Sequence, residues 1–377
     1  MGHERRPRLV AATTLPPVEF THDPLNVWDY ERLAEETLDD ASFGYFAGGA
    51  GDEHAVRANL EAFDRWRLRP RVLVDVEEVT TATTVLGSDL SMPIIAAPVA
   101  YQRMAHPDGE LAAARGAAAA GTMMCLSTFA TASPADVAHA ASEGARWFQL
   151  YWHPDRELTK QMLDRARESG YSAVMFTVDL PVLGHRERDL RSGFALDPDY
   201  RLEVYASALG DLGVITPAST AQLIDPTLTW RDLEWLHDHA GLPVIVKGIL
   251  TAEDAVLAAE HGCEALVVSN HGGRQLDRAV ASLDALPEVV EAVGDRVEVL
   301  VDGGIRRGAD VAIALALGAK AVLIGRPVIW GLAARGADGV QHVFELLRDE
   351  LLLALALLGC PTPDAVGRSH ITPAPGS

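Results

Sequence analysis

The chain has 377 residues, enough for one large domain or two ordinary ones, and 48% of them are hydrophobic. Asp and Glu outnumber Lys and Arg by 53 to 32, leaving a formal charge of -21. A surface this acidic repels phosphate backbones and argues against nucleic acid as a partner, although a local arginine cluster can still hold a small anion.

Residues 1–24 carry basic side chains but no apolar run, so they are expected to form a loose arm rather than a secretory signal. A helix around Tyr30 to Leu38, the turn "FAGGAGDE" and a capping helix follow, with no linker before the next segment. From about residue 91, short β-branched runs alternate with alanine-rich stretches. The strand candidates are MPIIAAPV (92–99), MMCLST (123–128), RWFQLY (146–151), AVMFTVD (173–179), PVIVKG (243–248), ALVVSN (265–270), VEVLVDGG (297–304) and AVLIGRP (321–327). Helices such as "SPADVAHAASEG" and "TAEDAVLAAEHG" lie between them, opening on Ser or Thr caps and closing on glycine. Continuous apolar strands separated by helices mean a parallel sheet covered on both faces, and eight such units mean an α/β fold, the (β/α)8 TIM barrel.

One connection is longer than the rest. About fifty residues, rich in Gly, Pro and Asp, separate "TVDLP" from the helix "TWRDLEWLHDHAG". A loop of that length is expected to work as a lid over the barrel mouth. The apolar stretch Leu351 to Leu358 is too short to span a bilayer and reads as the buried face of a terminal helix. The domain is expected to run from 25 to 365, with 366–377 a frayed tail ending "ITPAPGS". Cys125, Cys263 and Cys360 are too few and too far apart for a disulfide framework or a zinc site, which fits reduced core thiols in a cytoplasmic protein.

In a barrel of this kind chemistry sits at the C-terminal ends of the strands. Those ends are polar here: Ser127, Gln149 and Tyr151, Thr177 and Asp179, Lys247, Ser269 and His271, Asp302, then Gly325 and Arg326. Any one of them could be a satisfied structural group, but so many at one mouth point to a site. "VVSNHGGRQLD" ends an apolar strand in a histidine and an arginine three apart, around two glycines. "DGGIRRG" and "IGRP" bare backbone N–H groups beside Arg306 and Arg326, which reads as a phosphate seat after the last two strands. No G-x-G-x-x-G follows an N-terminal strand, so a dinucleotide site is not indicated. The phosphate belongs instead to a ligand with a flat ring across the mouth, where Lys247 could hold negative charge on a reduced flavin.

These residues, with "YFAGGAGDE", "APVAYQRMAHPDGE", "LSTFATASP", "FQLY", "TVDLPVLGHRERDLRSGF" and "LPVIVKGILTAEDA", resemble the FMN-dependent α-hydroxy acid oxidase and dehydrogenase family from about Leu25 to Cys360. The resemblance implies that FMN is the cofactor and a small L-2-hydroxy acid the substrate. It implies that His271 takes a proton from the hydroxy acid, that Asp179 orients and stabilises the imidazole, and that Arg186 and Arg274 clamp the substrate carboxylate. Tyr45 and Tyr151 would contact carboxylate and hydroxyl, and Lys247 would favour the reduced flavin. Pro98, Val99 and Ala100 would approach the flavin N5, with Ser127, Gln149 and Thr177 at its pyrimidine edge and Ser269 near the ring. Asp302, Gly303, Gly304, Arg306, Gly325 and Arg326 would hold ribityl and phosphate.

Three positions depart from common family patterns. Phe129 replaces a tryptophan or tyrosine, Val99 a frequent threonine, and Tyr101 a methionine; "APVAY" with "QLYW" is similar to bacterial mandelate-type oxidases. Phe129 and Trp152 are candidates for an aromatic pocket or for packing. The long loop carries Asp197, Asp199, Arg201, Glu203 and Asp211 and so argues against membrane docking. The expected reaction uses O2 and releases H2O2, the alternative being a dehydrogenase that passes electrons to a quinone or other acceptor. The resemblance also implies a homotetramer or homo-octamer.

Overall fold

Eight short runs of apolar, mostly β-branched residues form the parallel strands of a closed barrel in the order β7-β8-β1-β2-β3-β4-β5-β6. They are β1 (Ile94–Ala96), β2 (Met124–Leu126), β3 (Arg146–Leu150), β4 (Val174–Thr177), β5 (Val244–Ile249), β6 (Ala265–Val268), β7 (Glu298–Asp302) and β8 (Ala321–Ile324). The helices between them are α1 (Gly109–Ala119), α2 (Pro134–Ala140), α3 (Arg156–Glu168), α4 (Trp230–Ala240), α5 (Ala252–Glu260), α6 (Ser282–Val293), α7 (Gly308–Ala316) and α8 (Arg326–Leu358). The architecture is therefore the (β/α)8 barrel that the spacing predicts. The computed structural model describes residues 23–209 and 212–375, so the expected arm at 1–24 lies almost wholly outside the described residues.

Seven of the eight strands are shorter than their apolar runs; β5 is the exception. The polar ends, such as Val178-Asp179, Ser269-Asn270 and Gly303-Gly304, leave the sheet and become the loops of one rim. The opposite end is plugged by a hairpin, Thr83–Val85 with Ser88–Leu90. Its Val85 and Leu90 pack inside the barrel against Ile95, Met123, Trp147, Met175, Ile245 and Leu300. With one end filled by apolar side chains, only the polar rim is open to a ligand.

Helix caps follow the sequence signals: Ser133 accepts from Asp136 N, Asp155 from Glu157 N, and Thr251 from Asp254 N. α8 is broken by non-helical backbone at Arg335 and Gly336. Its last turns bury Leu351, Leu355 and Leu358 but leave Leu353 and Leu357 exposed, so only one face of that stretch is core.

One expectation needs correction. The tail is not frayed throughout: Ile371–Pro373 pairs antiparallel with Trp66–Leu68, and Ile371 is buried. The long connection after β4 holds three short helices, Glu187–Ser192, Glu203–Leu209 and Pro217–Ala221. The N-terminal segment adds helices Val27–Thr37, Asp40–Ala47 and His54–Asp64. The last of these is fastened to the rim. Asp277 accepts from Asp52 N and Ala55 N, and Asn59 and Asn270 exchange buried amide hydrogen bonds at 2.8 and 2.9 Å.

Candidate active site

After two residues beyond the end of β6, the chain passes through three consecutive left-handed residues, His271 (φ 59°), Gly272 (62°) and Gly273 (79°). A Cβ on Gly273 would lie 2.6 Å from the backbone nitrogen of Val56, so glycine is required there on two counts. His271, bearing a side chain at positive φ, is the strained member of the turn, as residues at functional sites often are. The turn points its imidazole into the cavity of the rim.

His271 Nδ1 lies 2.8 Å from Asp179 Oδ1, and Nε2 lies 3.3 Å from the Tyr151 hydroxyl. Burial pushes the imidazole below its ordinary pKa, and the charge and hydrogen bond of Asp179 only partly offset this. Burial opposes ionisation of Asp179 too, but His271 and Lys247 outweigh it and hold the carboxyl below its usual range. The pair is therefore carboxylate and neutral imidazole at neutral pH. Nδ1–H donates to Asp179, which leaves the Nε2 lone pair facing the cavity. Burial keeps the Tyr151 phenol protonated, so it donates to that lone pair.

Two guanidinium groups share this cavity. Arg274 Nη1 donates to the carbonyls of Tyr45 and Gly48, and its charge sits 4.7 Å over the Tyr45 ring. Arg186 donates from Nε to Arg274 O at 3.1 Å and from Nη2 to Gln275 Oε1 at 3.0 Å. Each side chain is thus anchored along one edge by backbone carbonyls or the Gln275 amide. Burial and the neighbouring Arg274 push Arg186 down to about 10, so it stays charged at neutral pH.

At the other end of the cavity, Lys247 Nζ lies 3.1 Å from Asp302 Oδ2 and donates to Ser269 Oγ at 2.9 Å. Burial disfavours its charge, but Asp302 and Asp179 outweigh burial and raise its pKa. Thr177 Oγ1, Asp302 Oδ1 and Arg306 Nε on cavity-lining residues, and Gln149 Nε2 just behind Ser127, are buried polar atoms with no hydrogen-bond partner. Buried groups left unmet cost about 1–3 kcal/mol each, so four around one cavity mark where a polar ligand sits. A donor, a hydroxyl, a carboxylate oxygen and a guanidinium suit a ring edge, a polyol and a phosphate. The residues present therefore fit FMN.

Pro98, Val99, Ala100, Ser127, Thr177, Lys247, Asp302, Gly303, Gly304, Arg306, Gly325 and Arg326 line the cavity, as do Tyr45, Tyr151, Arg186, His271 and Arg274. A Cβ on Gly304 would lie 2.0 Å from Asn59 O, so the glycine lets the rim close on the helix His54–Asp64. Gln149, Ser269 and Asp179 stand behind the lining. Gln149 Oε1 accepts from Ser127 Oγ and Thr128 N, which turns its amide nitrogen the other way.

Two expectations change. Arg326 does not offer a free fork: Nε, Nη1 and Nη2 donate to Phe46, Gly272 and Gly48 carbonyls, which ties the N-terminal turn to the histidine turn. Trp152 is absent from the cavity; its ring packs on Phe176 and Trp235, centroids 5.8 and 5.0 Å away, while Phe129 does line the cavity. Sequence reasoning missed Gln275, although it lies in the quoted motif. Its amide donates to Asp179 O and Val182 O and accepts from Gly184 N and Arg186, stapling the segment after β4 to the histidine turn. It also missed Asp189, buried near Arg186 and Arg274, whose carboxyl is raised by burial. The three-residue spacing of Arg186 and Asp189 on a short helix was the available signal.

Comparison with known proteins agrees with this geometry. The family model described as FMN-dependent dehydrogenase matches residues 34–373. The chain is 51% identical over 348 residues to an L-lactate oxidase of Nostoc sp., covering 89% of this chain and 95% of the relative. It is 46% identical over 352 residues to 2-hydroxyacid oxidase 1 of Homo sapiens, covering 91% and 95%. A solved structure of mandelate oxidase with (S)-2-phenylpropionate superimposes with a TM-score of 0.85 at 42% identity, covering 93% of this chain and 99% of the other. A match across nine-tenths of the chain, together with a rim whose unmet groups suit the flavin nucleotide, places this protein in the FMN-dependent dehydrogenase family, with FMN as its cofactor.

Proposed function

We propose that the enzyme oxidises a small L-2-hydroxy acid to the 2-oxo acid and transfers the electrons to O2: 2-hydroxy acid plus O2 gives 2-oxo acid plus H2O2. The observation that carries the reading is one cavity holding a base with its carboxylate partner and two half-anchored guanidinium groups. A planar fork recognises a carboxylate by two-point hydrogen bonding, and a base beside it reaches the adjacent carbon and its hydroxyl.

In this reading Arg186 and Arg274 hold the substrate carboxylate, with Tyr45 packed beneath Arg274 and Tyr151 hydrogen-bonding the hydroxyl. His271 Nε2 receives a proton from the substrate, and Asp179 stabilises the imidazolium that results. Lys247 keeps its charge at the strand end, where it favours an anionic ring. Pro98, Val99 and Ala100 would lie against the ring, and Ser127, Gln149, Thr177 and Ser269 would serve its polar edge. Asp302, Gly303, Gly304 and Arg306, with the helix start at Gly325 and Arg326, hold ribityl and phosphate. FMN, when bound, would supply the two-electron redox chemistry that links hydroxy acid oxidation to O2. No described helix is long and apolar enough to cross a membrane.

We also read the protein as a cytoplasmic homotetramer or homo-octamer. Cys125, Cys263 and Cys360 are free and buried. Val72, Leu73 and Leu357 are exposed apolar residues around the contact of Arg71 with the end of α8, a patch suited to a second copy.

Aerobic turnover with L-lactate, glycolate or L-mandelate should yield one H2O2 per 2-oxo acid formed. Reduced enzyme that persists in air but is reoxidised rapidly by a quinone would instead establish the dehydrogenase alternative.

The pH dependence has a definite sign. Because the folded enzyme holds His271 below the ordinary value of 6.5, the base is free at neutral pH. Flavin reduction should fall on the acid side only, with its midpoint below that value. Asp179 raises the imidazole pKa, so Asp179→Asn should move the limb to still lower pH and reduce the plateau. Stopped-flow reduction rates across pH test this; a limb above the ordinary histidine value would contradict it.

A further inference from the structure

Tyr101 is unexplained by the roles above. It is 2% exposed, lines the cavity, and holds a positive φ of 59°, a strained conformation for a bulky residue. Its hydroxyl lies 2.7 Å from Thr220 Oγ1, in a buried contact between the loop after β1 and the short helix Pro217–Ala221. Thr220 has a single hydroxyl proton, and its Oγ1 sits 3.1 Å from the carbonyls of both Thr216 and Pro217. Tyr101 is therefore the donor. Burial holds its phenol protonated.

Pro217, Thr220 and Ala221 also line the cavity, so this helix roofs it. The Tyr101 ring stands between Tyr45 (5.5 Å between centroids), Phe194 (6.2 Å) and Phe129 (6.4 Å). Phe129 in turn packs on Tyr151 at 4.9 Å, beside the base. The aromatic wall and the roof thus bound the space next to the reacting carbon.

We propose that Tyr101 is a specificity-determining positioning residue: by latching Thr220 it holds the Pro217–Ala221 roof down and restricts the cavity to 2-hydroxy acids with short side chains. The latch rests on the reading that the cavity takes 2-hydroxy acids. A buried hydrogen bond of this kind is worth about 1 kcal/mol or slightly more, close to a tenfold change in an equilibrium constant.

The test is a double-mutant cycle on the FMN-loaded enzyme with Tyr101→Phe and Thr220→Val, each nearly isosteric, and Thr220→Ser as the rescue. Each single variant should raise KM for glycolate or L-lactate about tenfold, with little change in kcat, and should narrow the preference over L-mandelate by a similar factor. The double variant should be no worse than either single, and Thr220→Ser should behave as the parent. Hydrogen exchange of amides 216–222, without substrate, should accelerate in both single variants. Additive singles, an unchanged lactate-to-mandelate ratio, or unchanged exchange would each overturn the latch. If Tyr101→Phe fails to retain FMN, the Thr220→Val and Thr220→Ser pair still decides. If the parent enzyme consumes no 2-hydroxy acid, the functional reading falls while the exchange result still judges the latch.

Discussion

His271→Ala is expected to slow flavin reduction by about three to four orders of magnitude while FMN remains bound. The imidazole is the group whose unprotonated nitrogen faces the cavity with a carboxylate fixed behind it, 2.8 Å away. Without it, the substrate proton has only the Tyr151 hydroxyl nearby, and burial makes that phenol a poor base. The unmet atoms at the other end of the cavity, on Gln149, Thr177, Asp302 and Arg306, are untouched by the change. Anaerobic stopped-flow of the variant, with flavin content measured in parallel, checks both parts. A loss smaller than tenfold would move the base elsewhere.

The second large effect is expected at the carboxylate clamp. Arg274→Lys should raise KM for the hydroxy acid on the order of 100-fold, because an ammonium has no planar fork to grip a carboxylate at two points while its other edge is held by backbone carbonyls. In the enzyme, Nη1 of Arg274 is held by Tyr45 and Gly48, and its own carbonyl accepts from Arg186. The substitution therefore disturbs both forks. Initial rates over a wide substrate range separate KM from kcat. An unchanged KM would mean that the carboxylate lies elsewhere.

The eight barrel strands were legible because a parallel strand buried on both faces must be apolar throughout. β6, Ala265–Val268, is wholly buried and its run ends abruptly at Ser269, as the sequence suggests. Less legible was anything that depends on distant backbone. Ile371–Pro373 has too few residues and too much proline to read as a strand, and it forms one because Trp66–Leu68 offers an edge. The three carbonyls that engage Arg326 come from Phe46, Gly48 and Gly272, two of them nearly 280 residues away, and no local pattern encodes that. Trp152 follows Tyr151 directly, yet it faces the helix layer, where Phe176 and Trp235 receive it. The candidate residues gather at the C-terminal rim because the fold alone sets its position; their partners, such as Gln275 and Thr220, did not announce themselves.

The most direct measurement of the central claim is anaerobic addition of L-lactate, glycolate and L-mandelate to the FMN-loaded enzyme, followed by absorption. Convergence of His271, Arg186 and Arg274 on one carbinol predicts complete loss of the visible flavin band with at least one of these acids. It also predicts no such loss with the matching alcohol that lacks the carboxylate. A flavin that stays oxidised with every acid, although one FMN is bound per chain, would contradict the account.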